Sequence, residues 1–195
     1  MQKGNIMNVS DNKYNIVYAD PPWQYKDKAK AGNRGACCKY KVQDTNWIAN
    51  LPIKDITLEN SILFMWVTMP KLNECWKVIN DWGFVYKTCA FTWIKTNKKN
   101  TESFFMGMGG GTRANAELCL LATKGKPKRI NASIKQIVTS PIREHSRKPD
   151  CVRDKIVELC GDLPRIELFS RTKTPGWDVW GNEINKFTEN EIFNF

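Results

Sequence analysis

Asp20, Pro21, Pro22 and Trp23 follow directly on the run Tyr14-Asn15-Ile16-Val17-Tyr18-Ala19, which reads as a buried strand. An acid, a stiffened backbone and an aromatic plate thus stand at a strand end, where α/β sheets hold their ligands. Two prolines fix φ at about −65° and carry no amide hydrogen, so the Pro21 carbonyl is expected to face outward as an acceptor. A flat ring bearing an amino group suits such a site: Asp20 and the Pro21 carbonyl accept its two hydrogens while Trp23 stacks on the ring. A nucleobase amino group is such a ligand. The plainer reading is a strand-ending turn, since Asp and Pro favour turns and Trp often fills a core.

The elements that must position this tetrapeptide read as alternating strands and helices. A polar segment, Gln24 to Gln43, follows it as a loop. Asp44 caps a short helix through Trp47, Ile48 and Leu51, ended by Pro52. Ser61 to Val67 reads as a second buried strand. Thr68 and Pro70 open a helix with apolar Leu72, Trp76, Ile79 and Trp82, which Gly83 closes. Strands are expected at Phe84 to Lys95, Glu117 to Thr123 and Arg165 to Phe169, with a helix from Pro149 carrying Val152, Ile156, Leu159 and Cys160 and ended by Gly161. This alternation predicts an α/β fold, a mostly parallel sheet covered on both faces. The glycine run between Met106 and Gly111 lacks the spacing of a phosphate loop.

With 195 residues, 42% of them apolar, the chain has room for one domain and its core. A formal charge of +10 and eight tryptophans point to a polyanion with bases to stack on, hence nucleic acid; the bland alternative is a generic basic surface. Basic segments at Lys26–Lys41 and Lys124–Arg129 are the expected phosphate contacts. Seven cysteines without a C-x-x-C pair, and one histidine, support neither a disulfide framework nor a metal site. No apolar run has membrane-spanning length and the N-terminus shows no apolar leader, so a cytoplasmic protein is expected.

Asp-Pro-Pro-Trp at a strand end resembles the catalytic motif of the S-adenosylmethionine-dependent adenine N6-methyltransferases, in the branch that contains the eukaryotic messenger-RNA adenosine methyltransferase and bacterial and phage relatives. The likeness extends over residues 14–184. Asn115-Ala116-Glu117 resembles the strand that brings an Asn and a Glu beside the target adenine, and Tyr40 resembles an aromatic of the loop after the motif. Arg143-Glu144-His145-Ser146-Arg147-Lys148-Pro149-Asp150 is similar to a further family segment. There Lys148, at a helix N-terminus, is expected to meet the methionine carboxylate of the cofactor as a polar contact in an exposed cleft, and His145 to bind substrate phosphate or orient its loop. Glu167-Leu168-Phe169-Ser170-Arg171 and Gly181-Asn182-Glu183 complete the resemblance. It implies cofactor contacts at Glu167, Phe169, Arg171, Asn182 and Glu183, with Trp177 and Trp180 as packing.

The resemblance implies a Rossmann-like methyltransferase fold with permuted motif order, the base-amino motif preceding the cofactor strand. It departs from longer relatives in one respect: they place an acidic cofactor contact on a strand upstream of the motif, and only nineteen residues precede Asp20 here. The implied activity is methyl transfer from S-adenosylmethionine to N6 of adenine. DNA is favoured over RNA, because a compact chain without a Cys/His zinc module resembles the stand-alone bacterial and phage enzymes. The alternatives are an RNA adenosine methyltransferase and a non-catalytic nucleic-acid-binding partner subunit; an intact Asp-Pro-Pro-Trp speaks against the latter.

Overall fold

The computed structural model describes residues 12–25, 42–109, 111–144 and 146–186. Among the described residues seven strands form a single sheet in the order β5-β3-β4-β2-β1-β6-β7. They are β1 (Tyr14–Ala19), β2 (Thr57–Val67), β3 (Val85–Thr96), β4 (Ala116–Lys124), β5 (Ile137–Pro141), β6 (Arg165–Leu168) and β7 (Asp178–Trp180). The helices are α1 (Thr45–Ala49), α2 (Ile53–Ile56), α3 (Leu72–Asp81) and α4 (Cys151–Cys160). β1 pairs in parallel with β2 and β6, β6 with β7 and β3 with β5, while β4 is antiparallel to both β2 and β3. Six strands therefore share one direction, and β4 alone is reversed.

Alternation in the central strands sorts side chains to two cores. Val17 and Ala19 of β1 join Leu63, Met65 and Val67 of β2 against α1 and α3, through Ile48, Val78, Ile79 and Trp82. Ile16 and Tyr18 face the other way with Phe64 and Trp66, and meet Val152, Ile156 and Cys160 of α4. Tyr14 lies with the first set although its parity belongs to the second, because the β1–β2 register slips between Tyr14 and Ile16. Both faces are covered, as a mostly parallel sheet requires.

The caps follow the sequence. The Asp44 side chain accepts the Trp47 amide hydrogen at 2.9 Å and starts α1. Gly83 (φ +81°) closes α3 and Gly161 (φ +94°) closes α4, in backbone conformations that side chains rarely adopt. Some elements depart from expectation. Pro70 sits in a 3₁₀ turn, Met69–Lys71, and the α-helix begins only at Leu72. β2 starts four residues earlier than its apolar run, and its first residues after Thr57 are exposed. α2, β5 and β7 do not stand out in the sequence.

Candidate active site

Parallel strands deliver their C-terminal ends to one edge of a sheet, and the reversed β4 delivers its beginning there. Asp20 after β1, Thr68 after β2, Glu117 at the start of β4, Lys148 before α4 and Phe169 after β6 thereby converge on one cleft of about 480 Å³. Pairing of β4 against β3, Glu117 opposite Trp93, fixes the depth at which the Glu117 carboxylate arrives.

An alternating row of charges forms the floor. The Lys148 ammonium donates to both Asp20 oxygens, at 2.8 and 2.7 Å, and lies 3.3 Å from a Glu117 oxygen; the Lys95 ammonium holds the other Glu117 oxygen. Lys148 also stands over the Trp66 ring, 5.6 Å from its centroid. Burial pushes the Asp20 carboxyl up, and Lys148 pulls it back toward the anionic form. Burial acts the same way on Glu117, but Lys148 and Lys95 together outweigh it and hold that carboxyl below its ordinary range. Burial alone would lower the Lys148 ammonium; Asp20 and Glu117 more than reverse this and raise it.

The motif is held by hydrogen bonds at both ends. The Trp23 amide donates to the Pro21 carbonyl at 2.8 Å, and the Gln43 amide to the Pro22 carbonyl at 2.8 Å. Gln24 in turn donates to the Gln43 carbonyl at 3.0 Å, so the chain leaves and re-enters the cleft rim at one point. The indole of Trp23 donates to the Trp66 carbonyl at 3.2 Å. Both carbonyl-bearing prolines and the aromatic plate are thus rigid before any ligand arrives.

On the β6–β7 side, Phe169 takes a left-handed backbone (φ +62°), and Ser146 across the cleft does the same (φ +64°). Such conformations in residues other than glycine concentrate at functional sites. Phe169 packs edge-on to Trp180 at 5.3 Å between centroids. A Cβ on Gly181 would stand 2.3 Å from the Ser170 carbonyl oxygen, so only glycine lets the chain just before Asn182 and Glu183 lie against the Phe169–Ser170 backbone. Arg171 lies 3.2 Å from Glu183 at the same rim.

The family model for MT-A70 matches residues 14–183, nearly the whole described chain. The chain belongs to the MT-A70 family. It is similar to the type II methyltransferase M.MunI of a Mycoplasma species, 34% identical over an alignment of 190 positions that covers 88% of this chain and 78% of that protein. It is also similar to human N(6)-adenosine-methyltransferase catalytic subunit METTL3, 27% identical over 176 residues, 89% of this chain and 28% of that one. A third relative is human N(6)-adenine-specific methyltransferase METTL4, 28% identical over 199 residues, 92% of this chain and 39% of that protein. The chain thus spans most of the Mycoplasma enzyme but well under half of the two human ones.

Set on this MT-A70 scaffold, most of the expected site residues come together: Asp20, Pro21, Pro22, Trp23, Glu117, Lys148, Phe169, Arg171, Asn182 and Glu183 all line the cleft. Two expectations change in detail. The Pro21 carbonyl already accepts one hydrogen bond, which leaves its second lone pair for a ligand. Trp23, with 4% of its surface exposed, offers one edge of a core residue rather than a free plate.

Glu167 and Asn115 do not line the cleft. Glu167 is buried in a two-pronged pair with Arg153 (2.7 and 2.7 Å) and faces a minor cavity of about 30 Å³. Asn115 is half-buried and its carbonyl accepts the Lys95 amide at 2.9 Å. Tyr40 and His145 lie outside the described residues. The sequence reading missed Tyr25, Trp66, Thr68 and Ser146, all of which line the cleft. Tyr25 follows the motif by two residues, and its hydroxyl meets that of Thr68 at 2.5 Å; its closeness to Asp-Pro-Pro-Trp was the one signal available. Lys95 was read only as a strand end. The basic stretch beginning at Lys124 lies at the wrong end of β4 for the cleft: Lys124 pairs with Ser61, six residues from Val67, about 20 Å along the strand.

Proposed function

We propose that this chain is a DNA adenine N6-methyltransferase, which uses Asp20 to take a hydrogen bond from the target amino group while a methyl group is transferred from S-adenosylmethionine. The observation that carries this reading is the Asp20 carboxylate at the end of β1, inside a rigid Asp-Pro-Pro-Trp and facing a cleft large enough for a cofactor and a base.

The cleft's donor set suits the cofactor. Lys148 supplies a cation for a carboxylate, Phe169 an apolar wall, and Asn182 and Glu183 a donor and acceptors for ribose hydroxyls, with Arg171 beside them. Bound there, S-adenosylmethionine supplies an electrophilic methyl carbon on its sulfonium. The chain's own part is positioning and electrostatics. The adenine amino nitrogen is a poor nucleophile while its lone pair is delocalised into the ring. Asp20 and the remaining lone pair of the Pro21 carbonyl accept its two hydrogens, favour a tetrahedral nitrogen and stabilise the positive charge that develops there as the N–C bond forms and the methyl–sulfur bond breaks. One of the two hydrogens then leaves to solvent as a proton, and the amine is neutral again. Trp23 and Tyr25 confine the ring of a base that has left its stack. No covalent enzyme intermediate is needed.

DNA is favoured over RNA by the relative that this chain matches over most of both lengths, a type II methyltransferase, the DNA-modifying class. The adenosine methyltransferase METTL3 is matched over 28% of its length. A bacterial or phage-infected cytoplasm is the setting that fits; among the described residues no helix is long and apolar enough to cross a membrane. The test is incubation with labelled S-adenosylmethionine and matched DNA and RNA oligonucleotides, followed by mass spectrometry of the nucleosides. N6-methyldeoxyadenosine is the expected product. Label in RNA alone would overturn the DNA assignment, and a chain that neither methylates nor binds the cofactor by calorimetry would be a binding subunit.

A further inference from the structure

Phe104, Met106 and Met108 are 59%, 74% and 78% exposed, and they stand on a single short arm between β3 and β4. They alternate with Phe105 and Gly107, which are half-buried, so the three large apolar side chains share the exposed side of the arm. The arm is firmly seated. Its Phe105 amide donates to the Lys95 carbonyl at 2.9 Å, Phe104 bridges Thr96, and the Asn97 amide group donates to the Ser103 hydroxyl and the Phe104 carbonyl at 2.8 and 3.2 Å. The chain then doubles back so that Gly107 bridges Ala114. A Cβ on Gly107 would stand 2.3 Å from the Ala114 carbonyl oxygen, which keeps the ribbon narrow.

The arm is rooted one residue from the cleft lining. Lys95, whose carbonyl holds Phe105, is the residue whose ammonium holds Glu117, and Glu117 leads through Lys148 to Asp20. Apolar surface left in water forfeits the free energy that burial would return, and a strip of this kind marks a contact. Three side chains on one arm fall far short of the 20–30 residues a side, approximately, that a stable protein interface uses. Exposed Lys98, Lys99 and Arg113 on the same connection would repel a second copy of a chain of charge +10, and they suit phosphates.

We propose that Phe104, Met106 and Met108 form an apolar wedge that enters the base stack beside the target adenine and fills the gap left when that base turns into the cleft. The proposal rests on the reading of this chain as a methyltransferase of nucleic acid. Unstacking a step is costly, and apolar wedges placed between base pairs offset such costs. Lys98, Lys99 and Arg113 then hold the flanking backbone, a task that the segment beginning at Lys124, at the far end of β4, is badly placed to share.

The test compares wild type with a Met106→Ser/Met108→Ser variant and with Phe104→Ala, each exposed enough to fold normally, on two DNA duplexes: one fully paired and one with an abasic site opposite the target adenine. Transfer to the paired duplex is expected to fall tenfold or more and transfer to the abasic duplex to stay within threefold. Equal losses on both, or none on either, would overturn the wedge. A second readout is independent of methylation: 2-aminopurine in a bound duplex is expected to brighten with wild type and to stay dark with the serine variant at equal occupancy by anisotropy. Brightening by a wild type that methylates nothing would remove the methyltransferase reading and leave the wedge standing. Brightening unaltered by the substitutions, with a dimer converted to monomer, would assign the strip to a second copy instead.

Discussion

The Lys148 ammonium lies 2.8 and 2.7 Å from the two oxygens of Asp20, a residue 128 positions earlier in the chain. With Glu117 at 3.3 Å and the Ser146 carbonyl at 3.3 Å, the three hydrogens of that ammonium are all engaged. A lysine expected to greet a cofactor carboxylate from an exposed rim is, in the fold, the counter-ion of Asp20. Its side chain is only 8% exposed. A ligand carboxylate at this point must share Lys148 with Asp20, so the two halves of the site are linked through one ammonium.

Lys148→Ala should therefore cost stability as well as cofactor affinity. Removing it leaves Asp20 and Glu117 without the ammonium between them, and loss of one member of a buried pair costs roughly 3–5 kcal/mol. The partial exposure of Asp20 places the expected loss near the lower end of that range. Urea unfolding checks it; a variant as stable as wild type would mean that the pair is solvated.

How much of this was legible follows from where the signals lie. The motif was readable because four contiguous residues carry it and the apolar run before it announces a strand. β2, α1, α3 and α4 were readable by their periods and caps. Strand direction leaves no mark in a period of two, so the reversal of β4 was invisible, and with it the displacement of Lys124 from the cleft. β5 has an exposed Ile137 and β7 only three residues, too little pattern to stand out. Asp20–Lys148 and Arg153–Glu167 join residues that only the folded topology brings together.

Acid should weaken the fold partly through Glu117. Its folded carboxyl is held below the ordinary glutamate value of 4.5, so it binds protons less readily in the native state and contributes stability that is present above that value and lost as pH falls through its folded value. Asp20 and Glu167, both pushed up by burial, act in the opposite sense. Glu117→Gln is expected to cost about 1.5–3 kcal/mol at neutral pH, the usual worth of hydrogen bonds to a charged group. The gap between wild type and variant should narrow below about pH 4.5 in denaturant midpoints taken across pH. A gap that stays constant with pH would show that the charge of Glu117 is not what matters.

Glu167→Gln separates packing from cofactor contact. The glutamate is locked to Arg153 by two 2.7 Å bonds and faces the minor cavity, which adjoins the main cleft at Asp20, Lys148 and Phe169. Breaking that pair should cost roughly 3–5 kcal/mol, which at about 2–4 °C per kcal/mol for a chain of this size lowers Tm by about 6–20 °C. Cofactor affinity of the folded variant, measured by calorimetry, should stay within a few-fold. A tenfold loss without a fall in Tm would place Glu167 on the ligand instead.

Asp20 carries the sharpest expectation. If its carboxylate accepts a hydrogen from the target amino group and stabilises charge growing on nitrogen, Asp20→Ala should slow methyl transfer by about a hundredfold or more, as loss of one transition-state hydrogen-bonding group does elsewhere. Cofactor affinity should change little, because Lys148, released from Asp20, remains available to a carboxylate and keeps Glu117 as its partner. Asp20→Asn separates charge from shape. Its oxygen can still face Lys148, but its amide then points two hydrogens at whatever the second carboxylate oxygen used to meet, whether ammonium or adenine amino group. A turn-forming role would leave Asn nearly silent, since Asn suits turns as well as Asp. Single-turnover methylation at saturating cofactor decides the matter: Asp20→Asn is expected to be as impaired as Asp20→Ala, and an active Asn variant would remove Asp20 from the chemistry.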